Sequence, residues 1–435
     1  MSRTSISRRQ FLAASAASPF IMAACAHGQD RVVPPSERIN VGYIGCGRRM
    51  GQLMTLPPEA RIIAFSDVNM QRVEGYLQRY PDAQGFQDYR EMLAMENLDA
   101  VIISSPDHWH ALHSIDACKA GKDVYIEKPM TLTIREGQQM VEAARKYGRI
   151  VQVGSQQRCD PANRIPAELI RNGRIGHVHT VHAHNFQSPW ECPLPEEDAP
   201  AHIDWDAWCG QTEPRGYHEE LYLPRVRGHE AGWISYTPYS GGEMTGWGAH
   251  GLDQIQWALG MDDSGPVEIW PELDLVPEPD GIHMGPTCEV RMRYANGTLL
   301  MLDGKGHGGG GIFEGEEGTI TVERGKYQVS RGVDTSAIPD DGVHLYRATD
   351  KAFGTSNNDT AINLSNWLHC IRTRERSIAD VEIGHRSTTV CHLGNIARWV
   401  ERPLKWDPVA ERFIDDDEAN GYLERVQRAP YQIVV

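Results

Sequence analysis

Short runs of apolar, β-branched residues alternate with amphipathic stretches over the first third of the chain. Residues 39–44, 61–65, 100–103, 124–126 and 150–153 have the length and content of buried strands. Helical patterning lies between them. Asp88-x-x-Glu91 and Thr133-x-x-Glu136 look like capping boxes opening two helices, and Tyr147-Gly148 closes the second, where glycine takes up the left-handed conformation. Strand and helix alternate through residue 154, which predicts a parallel, doubly wound α/β sheet.

Beyond that point the texture changes. A helix is predicted over 163–171 and a strand over 177–183, followed by a long irregular stretch, 186–246, rich in Pro, Gly and Trp. Residues 287–294, 298–302 and 319–322 alternate in the manner of antiparallel strands, and helices are expected over 359–372 and 385–399. This is a second, α+β domain. The glycine run at 307–311 reads as a flexible loop. A chain of 435 residues exceeds what one core usually holds. The expected organisation is a segment 1–26 outside the fold, a linker 27–38, a dinucleotide-binding domain 39–158 and a substrate domain 159–435.

The segment 1–26 has its own logic. Ser7-Arg8-Arg9-Gln10-Phe11-Leu12 and the Ala/Ser-rich run to Ala24 read as a twin-arginine signal peptide, which implies a translocase partner and a periplasmic or extracytoplasmic location. Its apolar stretch of about 14 residues falls short of the ~20 that a spanning helix needs. Two processing sites overlap: cleavage after Ala26, or acylation of Cys25 as a lipid anchor. Eight further cysteines are scattered without a Cys-x-x-Cys pair, so a zinc site of that kind is not signalled. They are expected as buried free thiols, Cys192 and Cys209 being the nearest pair in sequence for a bridge.

The composition is that of a folded globular protein, with 40% hydrophobic and 23% charged residues. Lys plus Arg number 43 against 59 Asp plus Glu, a net charge of −16, and an acidic surface repels phosphate backbones. Nucleic acid is not an expected partner.

Candidate chemistry begins where the first strand runs into Gly45-Cys46-Gly47-Arg48-Arg49-Met50-Gly51. Glycines suit this turn because a chain without Cβ atoms lets a pyrophosphate approach the backbone amides. Asp67, at the end of the next strand, is placed to accept the adenosine ribose hydroxyls and to repel a 2′-phosphate. NAD is favoured, with Arg72 keeping NADP possible. Glu127-Lys128-Pro129 ends a further strand at the edge that faces the ligand crevice, where a lysine can serve as acid, base or hydroxyl ligand.

With Ser104-Ser105-Pro106-Asp107-His108-Trp109-His110 and the run from Gly241 to His250, these residues resemble the Gfo/Idh/MocA oxidoreductases over 39–435. The resemblance implies an open, mainly antiparallel sheet in the second domain, carbohydrate substrates and homo-oligomers formed through that sheet. It implies that Lys128 contacts the reacting sugar hydroxyl, that His250 is its acid/base partner, and that Ser104, Pro106, His110 and Glu127 line the nicotinamide end. Many dehydrogenases of the family carry Asp four residues before the histidine; here that position is Gly246. Either Glu243 or Asp253 supplies the carboxylate, or His250 works without one.

Trp190, Trp205, Trp208, Trp233 and Trp247, with Tyr217, Tyr222, Tyr236 and Tyr239, offer flat rings suited to sugar C–H faces, Trp233 and Tyr236 being taken as substrate contacts. His179, His182 and His184 are read as structural, and no metal is expected. Because no soluble nicotinamide pool exists outside the cytoplasmic membrane, the cofactor is expected to be tightly bound and restored in each cycle. The expected function is an exported NAD(P)-dependent oxidoreductase on a sugar or glycoside. The alternatives are a redox-neutral glycoside hydrolase or epimerase that passes through a transient keto-sugar, and a non-catalytic sugar-binding protein.

Overall fold

The computed structural model describes residues 37–223, 232–273, 288–345 and 359–435. The twin-arginine segment, Cys25, most of the linker and residue 287 of an expected strand lie outside these residues. Residues 39–435 form one compact unit.

Six strands, β1 Ile39–Ile44, β2 Ala60–Ser66, β3 Gln84–Phe86, β4 Ala100–Ile103, β5 Asp123–Ile126 and β6 Val151–Val153, make a sheet in the order β3-β2-β1-β4-β5-β6. All neighbouring pairs are parallel. The order reverses between β1 and β4, and in such sheets the crevice beyond the strands' carboxyl ends at that point takes the ligand. Alternation decides the two faces: Val41, Tyr43, Ile102 and Tyr125 pack on one side, Ile44, Val101, Ile103 and Val124 on the other. The connecting helices are α1 Arg48–Leu53, α2 Met70–Leu77, α3 Tyr89–Leu93, α4 His110–Lys119 and α5 Ile134–Lys146.

The expected caps form with altered partners. Thr133 Oγ1 accepts the Glu136 N–H at 3.2 Å, but Glu136 returns the bond to Leu132 N–H at 2.9 Å, one residue earlier than a capping box requires. Asp88 caps α3 through the Arg90 N–H at 2.8 Å. Gly148, at φ +59, closes α5 as expected.

The second sheet has nine strands in the order β15-β14-β13-β7-β12-β11-β10-β16-β17. They are β7 Val178–Ala183, β10 Pro266–Glu272, β11 Glu289–Tyr294, β12 Leu299–Leu302, β13 Gly311–Gly315, β14 Gly318–Glu323, β15 Lys326–Val329, β16 Leu404–Asp407 and β17 Arg412–Phe413. Only the β7–β12 pair is parallel; the other neighbours are antiparallel. No strand was expected over β10, which carries Pro266 and Pro271, residues disfavoured within sheets. On this sheet lie α6 Pro161–Arg171, α10 Gly248–Leu259 and α12 Val381–Val400, burying Leu252, Ile255, Leu393 and Ile396 against Met292, Leu300 and Phe313. The helix α11 Asp359–Thr373 crosses back to the first sheet, where Leu364 and Trp367 join Tyr43 and Tyr125 in one core.

The stretch 186–246 carries short elements of its own: β8 Trp190–Glu191, α7 Trp205–Cys209, α8 Glu219–Tyr222, β9 Tyr236–Thr237 and α9 Glu243–Gly246. Its residues 224–231 lie outside the described ones. The glycine run is not a loose loop: a Cβ on Gly310 would come 2.5 Å from the Val322 carbonyl oxygen, and one on Gly309 2.7 Å from Arg324 N. Glycine serves close packing there. All eight described cysteines are free thiols. His182 Nδ1 lies 2.7 Å from an Asp303 carboxylate oxygen, and no cluster of three His, Cys, Asp or Glu among the described residues is placed to hold a metal.

Candidate active site

A single cavity of about 670 Å³ opens at the carboxyl ends of β1, β2, β4 and β5, within the range of sites that take cofactor-sized ligands. Gly45, Gly47, Arg48, Arg49, Asp67, Ser104, Pro106, His110, Glu127, Lys128 and His250 all line it, as does Trp233. Four expected site residues, Gly51, Tyr236, Glu243 and Asp253, do not.

The glycine turn divides into two different requirements. Gly45 has φ +87, and a Cβ there would sit 2.6 Å from Ser105 N, so the fold itself demands glycine. Ser104 Oγ donates to its carbonyl at 2.8 Å and locks the turn to β4. Gly47 has φ −81, open to any residue, and the nearest protein atom to its Cβ position is the far end of Arg72 at 3.7 Å. What its missing side chain clears is cavity, and this fits a pyrophosphate lying against the loop amides. Gly51 is a correction: it lies exposed within α1, with no close contact that requires glycine.

Asp67 is buried at the end of β2. Its carboxylate accepts the Cys46 N–H at 2.6 Å and the Asn69 N–H at 2.8 Å, and Arg72 stands 3.9 Å away. Burial pushes its carboxyl above the usual range, against the pull of Arg72 and the two amides. The carboxylate keeps acceptor capacity for ribose hydroxyls. Arg72 also lies 4.6 Å from the Tyr222 ring centroid.

Lys128 and His250 come together at the other end. Lys128 Nζ donates to the Gly246 carbonyl at 2.9 Å. Burial lowers the ammonium's pKa, with Glu127, Asp107 and Glu243 opposing. His250, at the start of α10, is buried and held well below its ordinary value, first by desolvation and then by Lys128, Arg324 and Arg49. It is therefore neutral at neutral pH and can accept a proton. Glu127 accepts Arg49 Nη2 at 2.7 Å and Gln156 Nε2 at 3.3 Å. His110 fits between two carbonyls, its Nδ1 2.7 Å from Pro129 O and its Nε2 2.9 Å from Ser105 O, tying the β4 and β5 loops together.

Asp253 is the second correction. Three residues from His250 on α10, it turns instead to buried Arg158, whose guanidinium binds its carboxylate at 2.8 to 3.1 Å, and it accepts Ser387 Oγ at 2.7 Å. A buried charge needs its counter-charge, and Arg158 supplies it. Asp253→Ala is expected to cost about 3 kcal/mol in urea unfolding, the lower end for a broken buried pair because Asp262 remains 2.9 Å from Arg158. An unchanged midpoint would contradict this assignment. Glu243 does not line the cavity, and a Cβ on Gly246 would come 3.3 Å from its Oε2, so a side chain there would crowd this carboxylate. Its charge bears on Lys128 and Asp107.

The aromatic expectation needs the third correction. Tyr236 is buried against Trp190 and belongs, with Trp208, Tyr217, Tyr222 and Tyr239, to a self-packed cluster. Four of the set, Trp208, Tyr222, Trp233 and Trp247, line the cavity, and only the Trp247 ring is in ring contact with His250, 5.6 Å from the imidazole. Sequence reasoning missed Arg324, Gln156, Ile234 and Tyr431, which also line the cavity. Each arrives from a distant segment and carries no local motif.

Comparison with known proteins bears on the two domains. Residues 39–155 match the model of an oxidoreductase family with an NAD-binding Rossmann fold, and residues 174–433 the C-terminal alpha/beta domain of that family. An inositol 2-dehydrogenase of Burkholderia multivorans is 33% identical over 160 residues, 35% of this chain and 48% of that protein, so the match spans about half of the relative's length. The WlbA dehydrogenase from Bordetella pertussis, solved with NADH and UDP-GlcNAcA, shares the fold at a TM-score of 0.59 and 19% identity, over 85% of this chain and 99% of that one. An aldose-aldose oxidoreductase from Caulobacter crescentus, complexed with glycerol, superposes at a TM-score of 0.58 and 16% identity, over 85% and 99% of the two chains. With a Rossmann sheet, a glycine turn at its switch point and both family domains matched along its length, the chain belongs to the Gfo/Idh/MocA oxidoreductase family.

Proposed function

We propose that this protein oxidises a hydroxyl group of a sugar or glycoside, using an NAD held so tightly that it is regenerated in place when a second carbonyl compound takes the hydride and a proton and is reduced to an alcohol. The observation that carries the reading is that one cavity joins the Gly45–Gly47 turn and Asp67 to Lys128 and His250. NAD, when bound, supplies the hydride acceptor. The chain's own residues handle the proton. Lys128 spends one N–H on Gly246 and keeps two for the substrate hydroxyl, which orients it and lowers the cost of its ionisation. Neutral His250 takes the proton as the hydroxyl becomes a carbonyl. Trp247, beside His250, and Trp233, elsewhere on the lining of the same cavity, offer apolar faces for a sugar ring.

A redox-neutral cycle is the second reading. It is favoured by Gly246, which leaves the position without the carboxylate that many dehydrogenases of the family carry there; what Lys128 binds at this residue is its backbone carbonyl. A transient keto-sugar would then permit epimerisation or elimination before the hydride returns. The pair of arginines at Arg8 and Arg9 supports export by the twin-arginine translocase, with Cys25 as an alternative lipid anchor and the open sheet as the surface for self-association.

Holoprotein incubated with a panel of glycosides separates the readings. Reduced-cofactor absorbance without product release indicates net oxidation, released aglycone or an epimer indicates the redox-neutral cycle, and no change with any sugar overturns both.

A further inference from the structure

The cavity continues past Asp67 along Val68, Gln87 and Asp88, residues that follow the ends of β2 and β3. Its far side comes from residues 203–222, which reach back to the end of β2. Asp204 N–H donates to the Val68 carbonyl at 3.0 Å, Asn69 bridges to Ile203, and Asn69 Nδ2 donates to the Tyr222 hydroxyl at 3.0 Å. The Trp208 carbonyl accepts the Trp109 indole N–H at 3.0 Å, and His108 Nε2 lies 2.8 Å from it.

The C-terminal segment ties this joint down. Arg428 donates to the Thr212 carbonyl at 2.9 Å and the Asp206 carbonyl at 2.8 Å. Arg425 binds the His108 carbonyl at 2.8 Å and Gln211 Oε1 at 3.0 Å. Tyr431 packs edge-on against Trp109, ring centroids 5.3 Å apart. Behind the wall Trp205 stacks on Trp208, centroids 4.4 Å apart and planes 7° from parallel. The surface is thus held from both sides, and Asp204, Ala207, Trp208, Tyr222 and Tyr431 line the cavity.

We infer that residues 203–222 and 425–431 form the outer wall of an adenosine chamber, which closes the dinucleotide between the strand ends and the rings of Trp208, Tyr222 and Tyr431. The inference rests on reading the cavity as an NAD site with the ribose at Asp67. An adenine is a flat apolar face with polar edges, the ligand that such rings accommodate. Release requires this wall to part from β2, so the bonds at Val68, Asn69 and Thr212 oppose dissociation. Arg428 does not line the cavity and acts as a positioning residue.

Holoprotein of the wild type, Tyr222→Ala, Tyr222→Phe and Arg428→Ala is passed through repeated gel filtration. NAD retained is released by acid and measured, exchange against isotope-labelled NAD is timed, and melting is recorded with saturating NAD. The wild type is expected to keep its cofactor. The variants, still melting cooperatively, are expected to exchange it about 10-fold or more faster, the effect of losing about 1.4 kcal/mol of contact in the closed state. Tyr222→Phe, which loses only the oxygen facing Asn69, decides the matter if Tyr222→Ala does not fold. Folded variants that exchange at the wild-type rate, or a wild type that exchanges as freely as they do, overturn the chamber while leaving the NAD site standing. A wild type that neither carries nor captures NAD overturns the underlying reading instead.

Discussion

Lys128→Ala is expected to lower turnover by about 10²–10⁴-fold, the range for removing a positioned proton-handling group, with bound NAD and melting temperature close to wild type. The side chain is partly buried and its ammonium donates to a backbone carbonyl, while Glu127, the first of the carboxylates whose charge bears on it, keeps Arg49 as its partner after truncation. The pH profile identifies the role. With Lys128 needed as the ammonium and His250 needed neutral, kcat/KM rises with pH through the His250 value, well below the ordinary 6.5. It falls again as Lys128 loses its proton, at a midpoint below the ordinary 10.5. Lys128→Ala removes the alkaline fall. Near-normal turnover, or an unchanged alkaline limb in the variant, takes Lys128 out of the mechanism. His250→Ala is expected to remove the acid limb with a rate loss of similar order.

The second large effect is loss of the cofactor. Gly47→Val is expected to yield a folded protein from which no NAD can be released by acid, because its φ of −81 suits valine and its new Cβ meets only the end of the Arg72 side chain, at an ordinary 3.7 Å. The added methyls fill the space against the loop amides. Gly45→Val should behave differently. At φ +87, and with Ser105 N 2.6 Å from the new Cβ, it strains the turn and lowers the yield of folded protein altogether. Thermal melting with and without NAD distinguishes the two: Gly47→Val melts as the cofactor-free wild type does and gains nothing from added NAD. Cofactor at wild-type stoichiometry in Gly47→Val would contradict the assignment of the loop.

The legible parts of the site were those whose chemistry lies next to its own strand. The turn Gly45–Gly47 directly follows β1, Asp67 follows β2, Ser104 follows β4, and Glu127 and Lys128 follow β5. In a parallel sheet these ends gather at one edge, so a strand pattern also places the residues after it. His250 and its helix were legible through the family motif. The misreadings share one cause. Asp253 was offered as a carboxylate for His250, but a charge in a low-dielectric interior is governed by its strongest counter-charge, and Arg158 lies 95 residues away in sequence. Tyr236 and most of the other rings were read by type, while their packing against one another turns them from the sugar end. The glycines at 309 and 310 were read as freedom when they mark close approach; composition does not distinguish these two uses.

Periodicity and the residues at strand ends thus determined the Rossmann half of the molecule and its glycine turn and pointed to Lys128, while His250 came from the family resemblance. Tertiary structure alone decided which carboxylate serves Arg158, which serves the neighbourhood of Lys128, and that residues 203–222 and 425–431 wall the far end of the cleft. Local pattern reports backbone geometry and which face is apolar. The pairing of buried charges and the closing of a cavity depend on energies between segments far apart in sequence, and these exist only once the chain has folded.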